Sequence, residues 1–260
     1  MSSDPDVASV DASSGLIRAI KPGIAVITAR TSDLSFEAQC IVTVVSGYKD
    51  SHAYVDMGNG LKISVTNLGA ENPWNPGDVF AWGETTARTG INRLSWSSYR
   101  FYGGVENVYA VMTKYNNEDG LELLQYFDDA ASVYYGSIDW RTMTREDFDE
   151  LYKCNRTHVS VNGVSGVMFE SKENGAKIFF PFSHRISKED GAVYPYYYPD
   201  VSSYAVERTC LWLREKPSRS PSSPDGDMQA YSCVLRAEGS ECTTGYRNLL
   251  FSIRPVYVGN

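Results

Sequence analysis

Histidine is scarce in this 260-residue chain, present only at His52, His158 and His184, and the three do not approach a paired ligand spacing. There is no HExxH, no GxSxG, no phosphate-binding glycine–lysine loop and no dinucleotide fingerprint. Catalysis needs a positioned nucleophile, base or metal, and none of these patterns supplies one. The sequence therefore points to a non-enzymatic protein with no cofactor. The five cysteines, Cys40, Cys154, Cys210, Cys233 and Cys242, form no CxxC pair, which argues against zinc. Their odd number leaves at least one unpaired. A Cys233–Cys242 or Cys210–Cys233 disulfide and a set of reduced buried thiols both stay open. No apolar run approaches the roughly 18 residues needed to span a bilayer, so no membrane insertion is expected. Positive charge is in deficit: 24 Lys and Arg against 32 Asp and Glu leave a net charge of −8. Such a surface repels phosphate backbones and anionic lipid, and nucleic acid is not an expected partner. Met1 to Asp6 has neither the basic start nor the apolar core of a signal peptide. The expectation is either a trimmed piece of an exported, cell-surface protein or a chain made and assembled in the cytosol.

What the chain has in quantity is aromatic surface, with 18 Tyr and 5 Trp. Tyrosine in such excess suits a recognition face, because it adds contact area at little entropic cost. It suits β-rich packing equally well.

Residues 7–45 read as short strands separated by Ser13-Ser14-Gly15 and Lys21-Pro22-Gly23 turns. Phe36, Ala38, Cys40, Val42 and Val44 fall on one face at period two, so Cys40 is expected in a core. The pattern is that of a small antiparallel sandwich. Residues 47–51 read as a linker. Beyond them tryptophans and helical patterns begin. Leu124, Phe127, Ala131 and Tyr135 suit an amphipathic helix over 121–135. Thr144 and Asp147 form a capping pair for a second helix with Phe148, Leu151 and Tyr152 as its apolar stripe. Strands are expected at 167–170, 177–181, 209–214, 230–237 and 251–258. Two helices beside short strands and long loops make an α+β arrangement.

Two resemblances sharpen this reading. The stretch DPDVASVDASSGLIRAIKPGIAVITA, closed by AQCIVTVV, resembles the second half of a bacterial Ig-like group 2 domain. That implies a spacer or adhesive stalk module over residues 1–46, with its opening strands missing and no ligand site. Residues 52–86, with Phe-Ala-Trp-Gly-Glu-Thr at 80–85, resemble the opening of the Fibrobacter major paralogous domain family. DDAASVYYGSIDWRTMTREDFDELYKC at 128–154, NGVSGVMF and NGAKIFFPF within 162–182, and FSIRPVY at 251–257 resemble its later blocks, in the same order. The family's early tryptophan falls near Ile63 here, and its proline before the second helix is Met143. The family is similar to C-type-lectin-like domains of the type shared with formylglycine-generating enzymes. The resemblance thus implies a C-type-lectin-like domain at 52–260 with two helices and short twisted sheets, preceded by the partial Ig-like segment. A formylglycine-type oxidase would need a close cysteine pair near the C-terminus; Cys233 and Cys242 are nine apart and their surroundings do not match.

By the same resemblance, ligands would meet the loops and strands before the closing Arg-Pro-Val strand. That region offers Tyr196, Tyr197, Trp212, Arg214 and Arg219, and then Arg236, Tyr246, Arg247 and Asn248, as ligand-binding residues. Aromatic faces stack on sugar rings or side chains, and Arg and Asn give directional hydrogen bonds. Strand members such as Trp212 and Tyr231 are also compatible with core packing, and half of the set is expected at the surface. Asp128-Asp129 reads as a complement to a helix dipole rather than an acid/base pair. Calcium has only Glu71-Asn72-Pro73 and Asp225-Gly226-Asp227 as loose candidates, without the Glu-Pro-Asn and Trp-Asn-Asp pattern of calcium-dependent lectins. Arg254 reads as a member of a structural ion pair. The functions that fit are a surface adhesin recognising a glycan or protein, or a bacteriophage virion protein built from the same modules. The virion reading expects a homo-oligomer or scaffold partner to complete the Ig-like segment; truncation of that segment is the open alternative.

Overall fold

The runs Thr-Cys-Leu-Trp-Leu at 209–213 and Ala-Tyr-Ser-Cys-Val-Leu at 230–235 carry apolar residues on both alternating sets, the mark of strands buried on two faces. A computed structural model, which describes residues 1–89, 93–187, 193–195, 204–218 and 226–259, places them at the centre of the molecule. Cys210, Trp212, Ala230 and Val234 enter one core with Phe80, Trp82 and Phe251. Leu211, Leu213, Cys233 and Leu235 enter a second core with Ile63, Phe169 and Val256.

In chain order, β1 (Ala8–Val10) pairs with β2 (Ile17–Ala19), and β3 (Gly23–Arg30) pairs with β4 (Glu37–Val44). β5 (Gly47–Lys49), β6 (His52–Asp56) and β7 (Lys62–Ser64) form a meander, and β8 (Tyr102–Glu106) makes a hairpin with β9 (Tyr109–Met112). The helix α1 (Ala130–Tyr135), the strand β10 (Trp140–Thr142) and the helix α2 (Arg145–Tyr152) follow. β11 (Asn155–Val161), β12 (Val164–Glu170) and β13 (Lys177–Pro181) make a second meander. The central sheet comes from β14 (His184–Ser187), β15 (Val193–Pro195), β16 (Tyr204–Trp212), β17 (Gln229–Leu235) and β18 (Ser240–Tyr246), in the order β15-β14-β16-β17-β18. The last strand, β19 (Pro255–Tyr257), returns to sit between β10 and β7, giving the order β10-β19-β7-β6-β5. Among the described residues the architecture is mostly β-sheet with two short α-helices, compatible with the expected α+β class. Gly47–Lys49, within the stretch read as a linker, is the edge strand of that last sheet.

Local chemistry explains the helices. Thr144 Oγ1 accepts from the Asp147 amide while the Asp147 carboxylate accepts from the Thr144 amide, the reciprocal cap expected from the sequence. Phe148 and Leu151 are buried, but Tyr152 faces solvent. The helix expected over 121–135 is confined to its last six residues. Residues 122–124 are extended instead: the Leu124 amide bonds to the Arg214 carbonyl, and the Lys216 amide to the Glu122 carbonyl. Asp129 then caps α1 by accepting from the Ala131 amide, and Gly136 ends it in the left-handed region at φ 64°. Phe127, placed by periodicity on the apolar stripe, is 75% exposed.

The N-terminal hairpin leans on the rest through β13. The Lys177 amide bonds to the Pro22 carbonyl at 2.8 Å, and Lys177 pairs with Asp4. Val7, Ala8 and Ala25 form a small core with Val42 and Val44 against it. The expected inward face of β4 is covered only at that end. Cys40 is exposed, correcting its expected place in a core, and Phe36 is 74% exposed. β3 and β4 form a two-stranded ribbon, so the outer half of β4 has no opposing layer among the described residues.

Arg254, just before β19, locks the two layers together. Its guanidinium is fully buried and donates to Asn67 Oδ1 at 2.8 Å, to the Ser64 and Val65 carbonyls at 3.0 and 3.2 Å, and to the Phe179 carbonyl at 3.1 Å. It also lies 4.2 Å from the Phe180 ring centroid. These acceptors are neutral oxygens, so Arg254 is a solvated buried cation and not the ion-pair member the sequence suggests. Burial pulls its pKa down to about 9, still high enough to keep the charge at neutral pH. Replacing Arg254 by Met should strand several buried acceptors and cost at least about 3 kcal/mol, lowering the thermal midpoint by roughly 6–12 °C. Calorimetry on Arg254→Met beside wild type reads this directly, and a shift under about 2 °C would refute the role.

Candidate functional site

The structure divides the expected ligand-binding residues into three groups. Tyr196, Tyr197 and Arg219 lie outside the described residues. Trp212, Arg247 and Asn248 are buried, which removes them from the surface where a ligand was expected. Trp212 ends β16 with its ring on the core side, its indole N–H donating to the Phe80 carbonyl at 2.8 Å. Its ring packs 4.5 Å from that of Phe251. Arg247 turns inward after β18. It donates to the Lys114 carbonyl at 3.1 Å, to the Gln229 carbonyl at 3.3 Å and to the Tyr115 carbonyl, with its guanidinium 4.8 Å from the Trp82 ring centroid. Asn248 donates its carboxamide to the Leu94 carbonyl at 2.7 Å. Arg214 also serves the framework: its Nε donates to the Leu124 carbonyl at 3.1 Å and lies 3.4 Å from the Asp129 carboxylate.

Tyr246 and Arg236 are the members that reach solvent. Tyr246, the last residue of β18, is 38% exposed. Two residues that the sequence did not single out join it. The Arg93 guanidinium lies 5.9 Å from the Tyr246 ring centroid, and the Trp96 ring meets it edge-on at 6.3 Å and 87°. Trp96 is held from behind by an edge contact of 5.7 Å with the buried Tyr99. Asn248 positions this group: its side chain and backbone carbonyl both bond to Leu94, which ties the 93–96 segment to the turn after β18. Beside Tyr246 on the sheet, the Thr244 hydroxyl donates to the Gln229 side-chain oxygen at 2.7 Å. The result is a solvent-facing platform of an indole, a phenol and a guanidinium on a rigid base. The only sequence signal for Arg93 and Trp96 was their chemical type, since 150 residues separate Trp96 from Tyr246.

Arg236 pairs with Glu241 across the β17–β18 hairpin and lines a separate open groove of about 470 Å³ with His158, Phe182 and Glu238. A second depression, of about 420 Å³, runs between Glu84, Arg88, Ser98, Arg100 and the exposed Phe127. Two carboxylates hold its arginines. Glu84 accepts from Arg88 at 2.8 Å and from the Arg100 amide at 3.0 Å. Asp128 holds Arg100 at 2.8 Å and accepts from the Tyr115 hydroxyl at 2.7 Å. Asp129, beside it in sequence, is buried and accepts from the Thr142 hydroxyl and amide as well as capping α1. Burial raises its pKa against those donors. The two carboxylates thus do different structural work. Among the described residues no group of three or more His, Cys, Asp and Glu converges as metal ligands would.

The histidines stay apart. His52 stacks on Tyr135 at 3.6 Å, and His158 on Phe182 at 5.7 Å. His184 is fully buried beneath Phe251. Its Nδ1 faces the Cys210 amide at 3.3 Å and the Ser183 hydroxyl at 2.8 Å, and its Nε2 faces the Leu250 carbonyl at 3.2 Å. An amide N–H can only donate, so Nδ1 is the acceptor and Nε2 carries the proton. A second proton would set N–H against N–H in a dry core, and burial lowers the pKa from 6.5 to about 3. Between those values the unfolded chain binds the extra proton and the folded chain does not. The stability held above about pH 6.5 is therefore lost as pH falls, by up to about 1.4 kcal/mol per pH unit from this group. In urea titrations from neutral pH to about pH 4, the stability difference between wild type and His184→Gln should narrow as pH falls; a constant gap would show that His184 is not the group responsible.

No protein-family model, curated protein or solved structure matches this chain.

Proposed function

We propose that the chain is a non-enzymatic recognition protein, with a C-type-lectin-like domain over residues 52–260 binding a glycan or protein ligand through the Arg93–Trp96–Tyr246 platform. The partial Ig-like segment over residues 1–46 would project it as an adhesin at a cell surface. The observation that carries the reading is the platform itself. A guanidinium beside the ring of a half-exposed tyrosine, with an indole edge-on to that ring, offers stacking area and directional donors at one place. Such side chains dominate binding hot spots because they bury area with few rotors to freeze. Their base is fixed by Asn248 and Tyr99, so little ordering cost falls on binding.

A second reading has one specific observation behind it. Leu16, Ile20, Leu34 and Phe36 are all exposed on the N-terminal hairpins, an apolar surface suited to strands from another chain. That favours a virion component or other assembly in which a homo-oligomer or scaffold partner completes the Ig-like segment. The two readings share the same recognition platform and differ in address.

The test is a glycan array probed with the purified chain, with and without calcium, followed by the variants Trp96→Ala and Tyr246→Ala on any hit. Each variant should keep the wild-type thermal midpoint within about 3 °C and weaken binding at least tenfold, roughly 1.4 kcal/mol. Full-strength binding by both variants would overturn the site. A blank array would move the ligand class from glycan to protein.

A further inference from the structure

Cys233 and Cys242 are cross-strand partners in the β17–β18 hairpin, and both are free thiols. The hydrogen-bond phase of the hairpin fixes their geometry. The Arg236 amide bonds to the Gly239 carbonyl and the Arg247 amide to the Met228 carbonyl, so the even-numbered residues of β17 are the ones bonded to β18. On the other side, the Leu213 amide bonds to the Tyr231 carbonyl, so the odd-numbered residues of β17 are bonded to β16. The register runs from Gln229–Tyr246 to Leu235–Ser240 without a shift. Cys233 and Cys242 are therefore a non-hydrogen-bonded pair. In such pairs the Cα atoms approach to about 4.5 Å with both side chains on one face, within the range a disulfide spans. Cys210, the remaining cysteine of this sheet, projects into the opposite core and is excluded as the partner.

Access is asymmetric in a way that suits exchange. Cys242 is exposed, while Cys233 is buried beneath it with Leu211 and Leu235. Burial pushes both thiols up, Cys233 well above its usual value, and the Arg145 guanidinium beside Cys242 pulls against that shift.

We propose that Cys233 and Cys242 form a thiol–disulfide exchange site, closed by small-molecule disulfides into a cross-strand bond that staples the β17–β18 hairpin. The Cys242 thiolate attacks the small disulfide, breaking its S–S bond, forming a mixed disulfide and releasing one thiolate. The Cys233 thiolate then attacks the Cys242 sulfur, forming the protein disulfide and expelling the second thiolate. The two released thiolates take up the two cysteine protons. The cysteine pair is thus oxidised by two electrons and the small disulfide is reduced to two thiols. The bond would form whether or not Tyr246 meets a ligand.

The experiment is incubation of the whole chain with oxidised glutathione at about pH 8.5, where more thiolate is present, then alkylation and tryptic mapping. Arg219, Arg236 and Arg247 delimit the peptides 220–236, carrying Cys233, and 237–247, carrying Cys242. These two should appear linked, the link should vanish in Cys242→Ser, and the thermal midpoint of the oxidised wild type should rise by about 5 °C. A persistent glutathione adduct on Cys242 alone, or peptide 220–236 linked to peptide 209–214 and hence to Cys210, would overturn the assignment.

Discussion

Two buried arginines, neither in a direct ion pair with a carboxylate among the described residues, hold this molecule in its shape. Arg254 gathers carbonyls from the end of β7 and from β13, and Arg247 gathers carbonyls from the segment after β9 and from β17. Each also rests on an aromatic ring, Phe180 and Trp82 respectively. A desolvated cation is tolerable only when its donors are used, and a guanidinium spreads its donors over a plane that can collect carbonyls from several strands at once. Short strands with long connections leave many backbone acceptors that no ladder satisfies. These arginines turn that burden into cross-links between layers.

The same constraint sorts exposed from buried side chains near β18. Successive residues point in opposite directions, so turning Arg247 inward leaves Tyr246 facing out. Asn248 then ties the 93–96 segment to this turn, and Arg93 and Trp96 come to lie beside Tyr246. The Arg93–Trp96–Tyr246 cluster is in this sense the outer side of a buried-cation site. Its side chains owe their placement to buried neighbours.

How much of this was legible in the sequence depended on range. The Thr144–Asp147 cap and the strand at 177–181 are local patterns and appear where expected, while the strands expected at 209–214 and 230–237 fall within or beside Tyr204–Trp212 and Gln229–Leu235. The helix expected over 121–135 was shortened because residues 122–124 find backbone partners at 214–216, a pairing that no window of sequence contains. Cys40 looked like core because its strand alternates correctly, but alternation cannot tell whether a second layer arrives. The inward turn of Arg247 was equally hidden, since its acceptors are carbonyls more than a hundred residues away at Lys114 and Tyr115, together with that of Gln229. Of the aromatics that the sequence nominated for the candidate site, Tyr246 lies at the surface and Trp212 is buried. The companions Arg93 and Trp96 came from tertiary contact alone.

The central claim is that Arg247 is structural and that Tyr246, next to it, is not. Thermal unfolding of Arg247→Met measures this most directly, because the substitution keeps the aliphatic stem and deletes only the donors. The account predicts a fall in the midpoint of about 6 °C or more, as three carbonyls, one buried and two partly buried, lose their donor. An unchanged midpoint would contradict it.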